Sequence, residues 1–491
     1  MDDLFGWSNG STDDSNTGIS NLELFRLFKY TNTKIFLFLL IILNILDSTF
    51  TYIRVILHGK LGTILIESNY ESPNDFLDVI NYMSTLIILS IISRFIANIF
   101  DASLQSLFEK KMKKEMHIKT MSKLLDQDIS YFDNTLTGTM LSRLTNDISN
   151  SCDALTQIFF NFIYCLYDFL CGLIICLFQS WKVSFFVLFC FPIYGISQLL
   201  GNKYVTSLYK KYNEKNTKAS SKAEEILNCF RTIRSFDTEL HEYHNYRKHL
   251  LDVHEIVTQT SLIRGLQNSI ESLIHWSLAS LILFYTGIQA INKEIDPGII
   301  VTIISILDRW SFSISGIFDC LYDLKKANVS AAKLIEIIER EPSIKNDEGK
   351  VINGRINGVI EFKNVTFKYP SRSENAIENL SFKIKQNETV ALVGESGCGK
   401  STILQLIQRF YDVDEGQILL DDIDVKKLKP SSIRSQISIV PQGPVIFSMS
   451  VKDNVRFGKP HAKREEVVYA STIANAHNFI LRLKDGYKTM I

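Results

Sequence analysis

Six apolar stretches constrain this chain more than anything else in it: residues 35–57, 79–100, 154–178, 183–200, 273–291 and 299–321. Each approaches or exceeds the roughly 20 residues that an α-helix needs to cross a hydrocarbon core. In lipid, every backbone N–H and C=O must find its partner within the segment, so runs of this length imply membrane-spanning helices. The segments between them set a direction. Residues 101–151 carry Lys110, Lys111, Lys113, Lys114, Lys119, Lys123 and Arg143, and residues 201–272 are basic in the same way, whereas residues 58–78 hold only Lys60 and residues 292–298 only Lys293. Positive charge stays cytoplasmic, which places both termini in the cytosol. The two basic segments lack helix breakers over residues 103–125 and 218–251, so the membrane helices are expected to continue into the cytosol as paired rods.

Six ionisable residues fall at membrane depth or near it: Asp47, Arg54, Arg94, Asp168, Asp308 and Arg309. Such residues face a polar path, pair with one another, or reach toward an interface. The sequence leaves these readings open.

The remaining composition narrows the class. Lys and Arg together number 53 and Asp and Glu 53, so no net charge draws the chain to nucleic acid. The 8 cysteines form no C-x-x-C pair and fall largely in apolar runs, which argues against a disulfide framework or a zinc site. The N-terminus opens Met1-Asp2-Asp3 and stays Ser/Asn/Asp-rich. That is neither a secretory leader nor a mitochondrial presequence, so the first apolar run is expected to act as an uncleaved signal-anchor. Asn9-Gly10-Ser11 fits a glycosylation sequon, but the expected topology keeps it in the cytosol.

Past residue 351 the composition becomes that of a globular domain, and one motif dominates it. Gly394-Glu395-Ser396-Gly397-Cys398-Gly399-Lys400-Ser401-Thr402 matches the phosphate-binding loop G-x-x-x-x-G-K-[ST] at every fixed position. The apolar run Thr389-Val390-Ala391-Leu392-Val393 before it reads as a buried strand, and the residues from Thr402 onward as a helix. In that context glycines turn backbone N–H groups toward one anion and the helix N-terminus adds partial positive charge. Lys400 is placed to reach the β- and γ-phosphates and Ser401 to ligate Mg²⁺, so the motif predicts a bound nucleoside triphosphate.

The order of six spans, a connector and a phosphate-loop domain resembles one half of a B-type ATP-binding cassette (ABC) exporter. Local motifs carry the resemblance further. Asp126 to Asp133, Thr137-Gly138 and Ser142-Arg143 look like the family's first intracellular coupling segment, and Glu224-Glu225 with Arg231 and Arg234 like the second. Ile360 to Pro370 is similar to the strand and aromatic loop that open the nucleotide domain, and Ser438-Ile439-Val440-Pro441-Gln442 to the Q-loop. The resemblance implies a helical type I exporter membrane domain over residues 34–325, preceded by a polar tail (1–33) and followed by a connector (326–358). It implies an α/β P-loop nucleotide-binding domain from residue 359. It further implies that Tyr369 stacks on adenine, that Gly394, Glu395, Ser396, Gly397, Cys398, Gly399, Lys400, Ser401 and Thr402 hold the phosphates, and that Gln442 joins Ser401 on Mg²⁺. By the same resemblance, Asp133, Gly138, Arg143, Arg231 and Arg234 are expected to carry motion between the domains.

The sequence reaches Ile491 without L-S-G-G-Q, an Asp-Glu strand or a switch histidine, so the nucleotide domain is expected to be truncated before the signature motif, with no catalytic base in hand. The family implies ATP-driven export by a dimer of half-transporters, homo- or heterodimeric, in a lipid bilayer. The substrate is a small molecule, a lipid or a peptide, the last favoured by the coupling segments. The alternative is a non-catalytic nucleotide-binding membrane protein, or a regulatory or vestigial half-transporter. The acidic N-terminus argues against a mitochondrial address and leaves the plasma membrane and endomembranes.

Overall fold

The structure is a computed structural model, which describes residues 23–31, 34–66, 73–135, 137–395 and 397–491. Asn9-Gly10-Ser11 and Ser396 lie outside the described residues. The chain divides into two compact units, one of residues 1–127 and 131–342, the other of residues 128–130 and 343–491.

The first unit is helical. A short α1 (Glu23–Arg26) precedes two long helices, α2 (Lys34–Ile66) and α3 (Pro73–Leu125). The short helices α4 (Ile129–Asn134), α5 (Thr137–Ser142) and α6 (Ile148–Asp153) lead through two π-helical stretches, Arg143–Asp147 and Ala154–Ile158, into α7 (Phe159–Gln179). Then come α8 (Trp181–Asn228), α9 (Phe230–Ser235), α10 (Glu239–Ile291) and α11 (Gly298–Glu339). At 53 residues each, α3 and α10 are about 80 Å long, well beyond the hydrocarbon thickness. Each therefore carries its membrane span on into polar sequence. Residues 103–125 continue α3 without a break, whereas 218–251 is not one rod, since α8 stops at Asn228, α9 takes Phe230–Ser235, and the chain turns at Asp237 (φ +52°) before α10 begins at Glu239.

Among the described residues, five helices are long and apolar enough to cross a membrane, lying within 35–66, 77–125, 137–179, 239–291 and 298–321. The remaining apolar run, 183–200, lies on α8, which carries Pro192 in its interior. Large side chains such as Ile88, Phe95, Phe178, Phe185 and Phe284 stand exposed on these helices, the composition of a lipid-facing surface.

Where the helices meet, the packing is dense. One core gathers Phe108, Met112, Met116, Ile148, Leu155, Phe160 and Leu334. Leu24 and Leu27 are buried in that same core, and the Leu24 N–H donates to Asn328 Oδ1 at 2.9 Å, so the packed part of the chain begins ahead of α2. A second core surrounds Trp310, with Tyr52, Val55, Ile282, Ile303 and Ile306. Helices α2 and α11 approach closely through glycine: a Cβ on Gly298 would stand 1.9 Å from the Gly59 carbonyl oxygen.

The second unit is built on an antiparallel sheet of four strands, β1 (Ile360–Phe367), β2 (Ile377–Ile384), β3 (Glu415–Leu420) and β4 (Ile423–Asp424), in the order β2-β1-β3-β4. Phe362 pairs with Phe382 across β1 and β2 and with Ile418 across β1 and β3. Its side chain is buried with Val365, Phe367, Ile403, Leu406 and Ile433. Helix α12 (Lys400–Ile407) packs into this core through Ile403 and Leu406, and α13 (Pro430–Arg434), α14 (Val451–Arg456), α15 (Arg464–Ile473) and α16 (His477–Arg482) complete the unit. Asp128–Ser130 belongs with it. Ile129 packs on the core, and the Asp128 carboxylate accepts from the Ser343 N–H at 2.9 Å.

The run Thr389 to Val393 departs from its sequence reading. It forms no strand, and Val390, Leu392 and Val393 are exposed, Val393 at 92%. An apolar run becomes a buried strand only when neighbours pair with it on both sides. Among the described residues none pairs with it, since all four strands of the sheet are joined to one another antiparallel. Ile439 and Val440 are exposed for the same reason.

Candidate functional site

The phosphate loop occupies residues 394–402, and its backbone follows its glycines. Gly397 and Gly399 have φ of +91° and +92°, a region that side-chain-bearing residues rarely adopt. Gly399 is also sterically fixed: an added Cβ would stand 2.7 Å from the Ala376 carbonyl oxygen. It caps α12, and the Ile403 N–H donates to its carbonyl at 3.1 Å. The turn therefore delivers the chain into the helix with the N-terminal N–H groups free of intrahelical partners.

Lys400 folds back over the loop. Its ammonium donates to the carbonyls of Gly394 at 2.8 Å and Glu395 at 2.6 Å, and it stands 3.5 Å from Cys398 Sγ. No carboxylate closes this cation among the described residues; two backbone oxygens and the Cys398 sulfur hold it. Ser401, the second residue of α12, is exposed beside it, and Thr402 is buried. A flexible ammonium over a glycine turn at a helix N-terminus is a donor set matched to a polyphosphate and to no cationic or apolar ligand.

Tyr369 comes to the same helix. Its hydroxyl donates to Gln405 Oε1 at 2.8 Å and lies 3.0 Å from Thr402 Oγ1. Its ring meets Phe367 and Tyr411 edge-on, at 5.0 and 5.3 Å between centroids, and the Arg372 guanidinium stands 5.6 Å over its face. Gln405 was not singled out in the sequence, although its position one turn after Thr402 on the same helix face is a signal that could have found it. Ala376, whose carbonyl limits Gly399, left no signal. Gln442 is exposed and makes no hydrogen bond among the described residues.

The coupling residues divide between settings. Arg143 lies on a π-helical stretch, its Nη1 3.4 Å from the Tyr131 hydroxyl and 3.6 Å from Glu336 Oε2, with its Nε buried and unpartnered. Gly138 faces open space and Asp133 is exposed on α4. Arg234 pairs with Glu239 and stands 5.9 Å over the Phe230 ring, and Arg231 is exposed.

Comparison with known proteins settles what these parts are. Residues 35–308 match the family described as ABC transporter transmembrane region, and residues 377–488 match ABC transporter. The chain belongs to the ABC transporter family. It carries the B-type exporter order, a transmembrane region followed by an ATP-binding region, and it is an integral, multi-pass membrane protein. It is 31% identical over 443 residues to multidrug resistance protein homolog 65 of Drosophila melanogaster, covering 88% of this chain and 34% of that protein. ABC transporter B family member 1 of Dictyostelium discoideum is 33% identical over 376 residues, covering 75% of this chain and 41% of that protein. ABC transporter B family member 1 of Arabidopsis thaliana is 30% identical over 385 residues, covering 78% and 30%. The sequence thus spans between about three tenths and two fifths of these relatives' length.

Proposed function

We propose that this chain couples binding of MgATP at its phosphate loop to export of a substrate across the bilayer, working as one of two halves, with a second copy or a related chain as the other. The observation that carries the reading is the Lys400 ammonium, held by backbone carbonyls and the neutral Cys398 side chain of a glycine turn at the head of α12, with no anionic partner among the described residues. An arriving polyphosphate offers that cation a stronger, charged partner. Gly394, Glu395, Ser396, Gly397, Cys398, Gly399 and Thr402 supply the surrounding backbone and side-chain donors. Ser401 and Gln442 hold Mg²⁺, which when bound neutralises charge between the β- and γ-phosphates. Tyr369 stacks on adenine once the exposed Arg372 swings from its face, a movement that leaves the hydroxyl anchored on Gln405.

In this reading the nucleotide region and both termini face the cytosol, as the Lys/Arg-rich segments favour. Movement passes through the α4 region, where Asp128–Ser130 belongs with the nucleotide unit while Asp133, Gly138 and Arg143 belong with the helical unit. Arg231 and Arg234 serve a second such segment. The cargo is a small molecule, lipid or peptide, peptide being favoured by the look of the coupling segments, and no nucleic acid partner is involved. Hydrogen exchange on the full chain in lipid nanodiscs, with and without MgATP, tests the reading. MgATP should change protection in residues 129–147 of wild type and leave the Lys400→Ala variant unchanged. Identical protection in wild type with and without MgATP would refute the coupling.

A further inference from the structure

Five charged side chains gather among the apolar helices of the helical unit. The Asp168 carboxylate, 1% exposed, accepts from Ser48 Oγ at 3.0 Å, from Ser313 Oγ at 2.7 Å and from Arg309. Arg309 also donates to the Tyr164 hydroxyl at 3.1 Å and stands 5.2 Å over the Tyr52 ring, with its Nε buried and unpartnered. One helix pair away, Arg94 Nε donates to Asp47 at 3.0 Å. These two pairs cancel. Arg54 does not: it is half-buried on α2, its charged neighbours are Arg94, Arg309 and Asp47, and it makes no hydrogen bond or ion pair among the described residues. Asp168 and Asp47 are already engaged, and Asp101, a third carboxylate near Asp47, accepts from Asn44 Nδ2 at 3.4 Å, so of the three arginines Arg54 alone makes no ion pair among the described residues.

An uncompensated guanidinium within a membrane span is expensive and is kept where it meets a polar path or a partner. Its neighbours cannot be that partner, since two of the three repel it and the third, Asp47, is bonded to Arg94. We propose that Arg54 is the recognition point for an anionic group on the transported substrate, so that the cargo is an organic anion carrying a carboxylate, sulfonate or phosphate. A guanidinium presents a planar fork of donors that matches such groups. The unpartnered Arg309 Nε supplies a further donor in the same cluster. The opposite polarity is found elsewhere in the unit. A cavity of about 570 Å³ is lined by Gln105, Glu109, Gln157, Asn161, Asp319 and Asp323. Asp319 stands ten residues beyond Arg309, about 15 Å along α11. That cavity would favour cations, so the two loci make opposite demands on cargo and one experiment separates them.

The inference rests on the transport reading and is tested apart from it. Full chain in nanodiscs is titrated with three probes sharing one fluorophore: anionic dansylglycine, neutral dansylamide and cationic dansylcadaverine. Wild type should bind dansylglycine most tightly. Arg54→Gln should weaken that probe on the order of tenfold, a single charge-assisted contact, and leave dansylamide unchanged. Arg54→Lys, which keeps the charge, should retain most of the binding and guards against a variant that fails to fold. Equal binding of the three probes, preference for dansylcadaverine, or full dansylglycine binding by Arg54→Gln would each overturn the proposal. A fluorescent ATP analogue titrated on the same samples reports the phosphate loop separately, so loss of anion selectivity alone leaves the nucleotide reading standing.

Discussion

Asp168 in the helical unit and Lys400 in the nucleotide unit are both charges that the fold must accommodate, and they are accommodated in opposite ways. Asp168 is closed by two serine hydroxyls and an arginine drawn from helices α2 and α11. Lys400 is held by two carbonyls and a cysteine sulfur of its own loop, with no charged partner among the described residues. A charge closed by side chains from several helices fixes how those helices pack. A charge resting on local backbone is free to exchange that backbone for a ligand. The first arrangement reads as architecture and the second as a binding site, and the difference lies in the partners rather than in the residue type.

The largest test of this contrast is to open the closed charge. Asp168→Ala leaves Arg309 buried without its anion, and should cost about 3–5 kcal/mol of helical-unit stability. Pairing it with Arg309→Met should recover much of that loss, because both charges then leave the interior together. Thermal unfolding of single and double variants in detergent measures the coupling; a double variant as unstable as the sum of the singles would show that the pair does not act as a unit.

A smaller effect is expected at the open charge's scaffold. Gly399→Ala adds a Cβ 2.7 Å from the Ala376 carbonyl at a φ of +92°, which should strain the turn by about 1–3 kcal/mol. The strain should appear as weakened nucleotide binding, with little change in the thermal unfolding of the helical unit. Next in size is Arg143→Ala. Glu336 is 65% exposed, so this ion pair is worth at most about 1 kcal/mol, and thermal unfolding should scarcely move.

The smallest effect concerns α1. Glu339 is held below the ordinary glutamate value of 4.5 by the hydrogen bond from Tyr30 and by Arg26, while burial pushes the Tyr30 hydroxyl up to about 12. A lowered carboxylate pKa stabilises the fold above the unfolded value and loses that contribution as pH falls through the folded one. Proteolysis near residue 31 should therefore rise mildly only below about pH 4.5, and Glu339→Gln should abolish that pH dependence.

Much of this was legible in the sequence, and the failures have one cause. Helix periodicity and length reveal long rods because an α-helix satisfies its own backbone, and the phosphate loop is legible because its glycines, lysine and hydroxyl are contiguous. Pairings across helices are not: nothing local tells Asp47 to choose Arg94, 47 residues away, or Asp168 to choose Arg309. The run Thr389 to Val393 shows the same limit in a strand. Its apolar character is local, but its burial depends on neighbouring strands, and among the described residues it has none. Tyr369 was found by its place before Pro370, whereas the Gln405 anchor emerged only once α12 was folded beside it.

The most direct measurement is calorimetric titration of the full chain in nanodiscs with MgATP, comparing wild type, Lys400→Ala and Lys400→Arg. If the loop cation awaits an anion, wild type binds MgATP, Lys400→Ala loses roughly tenfold to a hundredfold in affinity, and Lys400→Arg recovers part of it. Equal affinity in wild type and Lys400→Ala would contradict the account, because the loop cation would then have no ligand to meet.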